Sequence, residues 1–181
     1  MPHDATPEIG FTPCNYLSKL PQLDEIDNAY LVKKGVFDLP SPHSLDALIK
    51  TYFDHVHPFA PVLDRLEFIR SYKSGDCSLL LLCAMLTPSS IHAPAYVLSA
   101  CGFESRSAAQ DAFFSKAKLL YDFASDEDPL SKLQGSIILC MIILDRPTDR
   151  DFGYWLHNAI RLATKLDVRQ RRQTSGGLEV V

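Results

Sequence analysis

No two cysteines in this chain have the C-x-x-C spacing of a zinc ribbon or a redox motif. The five present, Cys14, Cys77, Cys83, Cys101 and Cys140, are odd in number. Neither a disulfide framework nor a metal site is implied. Four of the five lie in apolar surroundings, where cysteine acts as a small hydrophobe, and a reducing, intracellular compartment is expected. Long apolar runs are missing as well. Leu79–Leu86 and Ile137–Leu144 are far shorter than the roughly 20 residues that span a bilayer, so they read as buried helix centres of a soluble protein. Met1–Gly10 has no basic segment followed by an apolar run, which excludes a secretory signal there. Excess positive charge is also lacking. The formal net charge is -4, which argues against a surface that grips phosphate backbones throughout.

Catalytic signatures are absent too. The chain contains no G-x-S-x-G, G-x-x-x-x-G-K, G-x-G-x-x-G or H-E-x-x-H, so an enzymatic reading has no motif behind it. No stretch alternates with period two over strand length, which leaves helices as the building element.

Helical patterning is what the sequence does have. Hydrophobic residues make up 46% of the chain, enough for a core. Residues 1–43 carry Pro2, Pro7, Pro13, Pro21, Pro40 and Pro42 and read as a linker with at most one short helix, around Leu23–Lys33, with Ile26, Ala29 and Tyr30 on one face. Ser41-Pro42 suits a helix start, and Leu45, Leu48, Ile49, Tyr52, Phe53 and Val56 form the stripe of the helix that follows. Pro58 and Pro61 end it. Asp64 with Glu67 suits a capping box, opening a helix with Leu66, Ile69 and Tyr72 inward.

Leu79–Leu86 follows and is expected to stop at Thr87-Pro88, with a second piece over Ala95–Cys101. Ser105 opens a long helix to about Ala124. Its stripe is Ala109, Ala112, Phe113, Ala117, Leu120 and Tyr121, with Asp111, Lys116 and Lys118 largely off it; of Phe113 and Phe114, one ring is expected in the core and one at a helix contact. Asp128-Pro129 begins the next helix, carrying Leu130, Leu133, Gln134, Ile137, Ile138 and Met141. Apolar residues nearly surround its end, so it is expected at the centre of the fold. Asp149 is expected to cap the last helix, whose stripe is Phe152, Trp155, Leu156, Ala159, Ile160, Ala163 and Leu166, and Gly176-Gly177 closes the regular part.

Every constellation with chemical potential has a structural reading. His55 and His57 point about 200° apart on a helix and cannot chelate together, so they suit a helix end. Asp126-Glu127-Asp128 precedes a helix start, where negative charge is stabilised. Asp145, Asp149 and Asp151 alternate with Arg146 and Arg150 in a connector and suit local ion pairs. Arg169-Gln170-Arg171-Arg172 is the single basic cluster, either cations at a helix end with a polar tail or a nucleic-acid contact or nuclear address. Trp155 lies on a core stripe and reads as packing. No catalytic, cofactor-binding or metal-binding residue is assigned.

Several segments, in order, resemble the regulatory, middle-homology domain of fungal-specific transcription factors. Tyr52-Phe53-Asp54-His55-Val56-His57-Pro58-Phe59-Ala60-Pro61-Val62-Leu63 is similar to the family's opening motif. The Leu79–Ala84 run, Phe113–Tyr121, Leu133-Gln134-Gly135-Ser136 and Tyr154–Ala163 resemble successive family helices, and Gly35–Pro40 with Asp64-Arg65 resembles the cutinase-gene activator branch. The resemblance spans about residues 31–168. The helical periods themselves give an all-α array of about six or seven helices over 44–168, after the linker and before a polar tail over 169–181; the resemblance implies that this array is a partial regulatory domain, incomplete relative to the family's larger helical domain. It also implies a nuclear, non-catalytic regulator of transcription that gates or modulates activation.

Zinc belongs, in full-length relatives, to a six-cysteine DNA-binding module. No such cluster occurs here, so neither zinc binding nor sequence-specific DNA contact is expected of this chain. The expected partners are transcriptional proteins or a second copy, and no membrane. Because the family continues past the last helix, the chain is expected to be a fragment or a truncated product. Two other readings stay open: a helical interaction module acting without DNA, and an enzyme with an unrecognised site.

Overall fold

The computed structural model describes residues 23–123, 128–142 and 148–176, and of 168–176 only the backbone. Within them lie eight α-helices, one π-helical turn and no strand. The helices are α1 (Glu25–Lys33), α2 (Pro42–Thr51), α3 (Arg65–Lys73), α4 (Leu79–His92), α5 (Ala95–Ala100), α6 (Arg106–Phe123), α7 (Pro129–Cys140) and α8 (Phe152–Gly176), with the π turn Tyr52–Val56 continuing α2. The all-α class expected from the sequence holds.

Short polar side chains start most of these helices, each accepting an amide that the first turn leaves without a partner. Asp24 accepts Asp27 N–H at 2.7 Å, Ser41 accepts Ser44 N–H at 3.4 Å, and Asp64 accepts Glu67 N–H at 2.9 Å. Ser78, Ser105 and Asp128 do the same for Leu81, Ala108 and Ser131, at 3.0, 3.1 and 3.0 Å. The last helix departs from expectation. Asp151, not Asp149, accepts Tyr154 N–H at 3.0 Å, two residues closer to the helix.

The centre of the fold is α4 rather than α7. Every residue from Leu79 to Thr87 is buried, and α4 packs on α6 and α7, with α2 and the π turn also against it. In α7 only Gly135, Ser136, Ile138 and Leu139 are buried, while Leu130 and Met141 are exposed. The helix ends at Cys140, so the Ile137–Leu144 run is not one helix centre, and Ile143 and Leu144 lie outside the described residues.

Helix α4 also runs through Pro88 instead of stopping before it. The turns around the proline are polar yet buried, and they are satisfied within the helix. Thr87, Ser89 and Ser90 hydroxyls donate to the carbonyls of Cys83, Met85 and Leu86 at 2.9, 2.7 and 2.8 Å. A proline inside a helix loses one amide donor but does not forbid continuation when packing holds both sides.

Periodicity misjudges other faces. In α1, Leu31 is fully buried, whereas Ile26 is 79% exposed and Tyr30 is on the surface. Leu31 and Val36 both belong to the core, so residues ahead of Ser44 contribute to it. In α3 the buried pair is Phe68 and Tyr72; Leu66 is 77% exposed. In α6, Phe113 and Phe114 are both buried, Phe113 against Phe103 and Phe114 against Trp155 of α8, which matches one core ring and one helix-contact ring. Helix α8 continues to Gly176, so residues 169–176 are helical rather than a tail. Arg and Gln are good helix formers, and nothing in that stretch breaks the chain before the glycines.

Candidate functional site

The motif Tyr52–Leu63 forms the junction between α2 and α3. Helical winding loosens from α to π at Tyr52, and His57 N–H donates to Tyr52 carbonyl at 2.9 Å to close that turn. Tyr52, Phe53 and Val56 remain buried, so the wide turn keeps all three on the core side. The two histidines part company, as their spacing requires. His57 Nε2 lies 2.9 Å from Leu63 carbonyl and clamps the Pro58–Pro61 loop, while its ring meets Phe53 and Tyr52. His55 faces outward and stacks on His92 at the end of α4, ring centroids 5.4 Å apart. That partnership has no signal in the sequence, because the two residues come from distant segments. The Tyr52 hydroxyl is buried without a hydrogen-bond partner, and burial pushes its pKa far above the ordinary tyrosine range.

The acidic constellations resolve into caps and ion pairs. Asp128 caps α7, while Asp126 and Glu127 lie outside the described residues. Asp145 and Arg146 also lie outside them. Arg150 reaches back to α6, where its guanidinium donates to Asp122 Oδ2 at 2.8 Å and to Lys118 carbonyl at 3.4 Å, and stands over the Tyr154 ring. The Asp122 bond raises the Arg150 pKa further. Asp149 lies 3.9 Å from Lys118 Nζ, whose charge sits over Phe114. Among the described residues no three His, Cys, Asp or Glu side chains gather as a metal would need, and no helix is long and apolar enough to cross a membrane.

Lys116 lies off the core stripe in the sequence pattern, and the structure gives it a specific task. It is half-buried, and its ammonium donates to Asp38 carbonyl, tying the segment after α1 to α6. Desolvation lowers its pKa. Trp155 is packing, as expected: it is 1% exposed and meets Phe114, Tyr121 and Tyr154 edge-on. Its indole N–H, buried, has no partner.

Helix α8 exposes part of the apolar stripe that its sequence carries. Its buried face is Trp155, Asn158, Ala159 and Leu162. Phe152, Leu156 and Ile160, expected to be core, are 61%, 39% and 58% exposed, and Ala163 is exposed too. His157, Arg161 and Lys165 are exposed one residue further round. The sequence stripe is wider than one neighbouring helix can cover, and that excess width is the available signal.

Comparison with known proteins places these elements. The family model described as the fungal specific transcription factor domain matches residues 49–176, from within α2 to the end of α8. The chain is 56% identical over 149 residues, 82% of its length, to the fusaric acid cluster transcription factor FUB12 of Gibberella fujikuroi. It is 33% identical over 143 residues to cutinase transcription factor 1 beta of Fusarium vanettenii, and 29% identical over 145 residues to the acetamidase regulatory protein of Aspergillus fumigatus. The latter two matches each cover 76% of this chain. The three cover only 22%, 16% and 18% of the relatives, so the chain spans about a fifth of the length of the curated relatives it matches. No solved structure matches. The relatives are named as transcription factors and regulators, not enzymes, and with the family model covering α2 to α8 the chain belongs to the fungal-specific transcription factor domain family.

Proposed function

We propose that this chain is a regulatory segment of fungal transcription control, non-catalytic and nuclear, acting through protein contacts rather than by reading DNA itself. The observation that carries the reading is the family match from α2 to α8, which takes in the core of α4, α6 and α7. The use made of the reactive side chains supports it. His57 clamps a loop, Asp64, Asp128 and Asp151 cap helices, and Trp155 packs. A net charge of -4 supports weak, unspecific behaviour towards duplex DNA. No cofactor is assigned to these residues; zinc is assigned to the DNA-binding module of full-length relatives.

The test is a reporter experiment. The chain, fused to a heterologous DNA-binding domain, is expected to alter reporter output in a fungal nucleus. Ile138→Asp, which places a charge in the core, is expected to abolish that effect. Output identical to the DNA-binding domain alone would overturn the reading. A gel shift at near-physiological salt should show no preference for one duplex over random competitor.

A second reading, a helical interaction module acting without DNA, is favoured by the exposed apolar row on α8. Nuclear exclusion of the fluorescently tagged chain would favour it over the first.

A further inference from the structure

A hydroxyl residue followed by proline is a small chemical signature of its own. Proline has no N–H, and it pushes the residue before it into an extended conformation. Proline-directed protein kinases select on both features, since their cleft takes the acceptor extended and gives the next nitrogen no hydrogen-bond partner. The sequence holds four such pairs, Thr6-Pro7, Thr12-Pro13, Ser41-Pro42 and Thr87-Pro88. Thr87 is fully buried inside α4, and its hydroxyl donates to Cys83 carbonyl. Thr6 and Thr12 lie outside the described residues. Ser41 has a different setting. It is extended, with φ -56° and ψ 152°, at the end of the irregular stretch 38–41. Ser41, Pro42 and His43 are all exposed.

We propose that Ser41 is a phosphorylation site for a proline-directed protein kinase, and that the phosphoserine firms the start of α2. In the transfer, Ser41 Oγ attacks the γ-phosphorus of a nucleoside triphosphate. An Oγ–P bond forms, and the bond from that phosphorus to the β–γ bridging oxygen breaks. The hydroxyl proton goes to the kinase's catalytic carboxylate, and a nucleoside diphosphate leaves. The Ser-Pro pair and its exposure make the site, and the helix decides what the phosphate does there. Unmodified, Ser41 is a weak cap, because its oxygen accepts Ser44 N–H at the long distance of 3.4 Å. The first turn of α2 holds no acidic side chain to repel an added negative charge, and the exposed His43 stands in that turn. A phosphoryl group brings about two negative charges and three acceptor oxygens to the helix end where backbone amides lack partners. At a helix N-terminus phosphorylation orders a segment rather than melting it. Ser41 joins α2 to the stretch that Lys116 ties to α6 through Asp38 carbonyl, so the modification stiffens that joint.

The test uses the whole chain, a mitogen-activated protein kinase, Mg²⁺ and ATP, with Thr6→Ala and Thr12→Ala removing the two pairs outside the described residues. Mass spectrometry of the intact chain and of its peptides is expected to show one phosphoryl group, on Ser41. Pro42→Ala keeps a good helix former at that place and should slow the transfer at least about tenfold. Thr87 should stay unmodified while the chain is folded. The phosphorylated chain should melt about 1–4 °C above the unmodified one, and the gain should shrink as salt is raised. Phosphatase treatment should return the midpoint to its starting value. The chain recovered from growing fungal cells, with phosphatases inhibited, should carry phosphate on Ser41. No transfer to Ser41, equal rates with Pro42→Ala, an unchanged or lower midpoint, or no phosphate on Ser41 in cells would overturn the proposal. None of these results bears on the reporter experiment, so the site can fail while the transcriptional reading stands.

Discussion

Tyr52 buries its whole side chain, hydroxyl included, and the hydroxyl finds no partner there. An unpaired buried hydroxyl costs about 1–3 kcal/mol, and phenylalanine keeps the ring contacts with Phe53 and His57. Tyr52→Phe is therefore expected to raise the thermal midpoint, and a lower midpoint would mean the hydroxyl has a partner. The same group contributes to alkaline behaviour. Its folded pKa is raised by burial, and that of Tyr72 is raised first by burial and then by its bond to Asp46. The neutral form is thus favoured in the folded state, so stability is full below the unfolded tyrosine pKa of about 10 and is lost as pH rises above it. Tyr52→Phe should make that alkaline loss shallower, as read from melts across the pH range. At this scale the sequence is legible where a residue has one plausible environment. Ile138 and Trp155 are buried, and Asp64 and Asp128 are caps. It is not legible where a long side chain can choose. Lys116 looks like a solvated cation, and its bond to Asp38 carbonyl depends on a segment remote in sequence.

Helices α4 and α7 meet where α7 has no side chain. A Cβ added at Gly135 would stand 3.7 Å from Leu80 Cγ and 3.8 Å from Ala84 Cβ, which is ordinary contact distance. Gly135→Ala thus fits without displacement and removes the helical penalty of glycine. A gain of roughly 0.5–1 kcal/mol is expected in denaturant unfolding. Gly135→Leu has no such room, and overpacking there should cost on the order of 1–3 kcal/mol. If both variants destabilise alike, the close approach of the two helices is tighter than described. The order and type of the elements are readable because caps and apolar periods are local signals. The identity of the central helix is not. Both α4 and α7 are strongly apolar, and which of them is surrounded depends on who their neighbours are. Continuation of α4 through Pro88 is hidden for a related reason. Local chemistry argues for a stop, while burial on both sides and three internal hydroxyl bonds favour extension.

For the molecule as a whole, the segment ahead of α2 decides how much of the chain folds as one unit. Its sequence is proline-rich and reads as a linker, yet Leu31 and Val36 are fully buried, Tyr30 meets Phe123 of α6, and Asp38 carbonyl receives Lys116. Fully burying one large aliphatic side chain contributes roughly 1.5–3 kcal/mol, an upper figure because the unfolded chain is already partly collapsed. Two such residues together with the Lys116 tie represent a substantial part of a typical margin of about 5–15 kcal/mol. A chain begun at Ser44 should therefore melt at a markedly lower temperature than the whole chain. Lys116 would then lack the carbonyl it is bonded to, so Lys116→Met should harm the shortened chain less than the whole one. That non-additivity, read from a double comparison of melting midpoints, separates a specific contact from a general loss of covering surface. Equal effects of Lys116→Met in both backgrounds would show that the segment is a covering layer with no directed tie to α6.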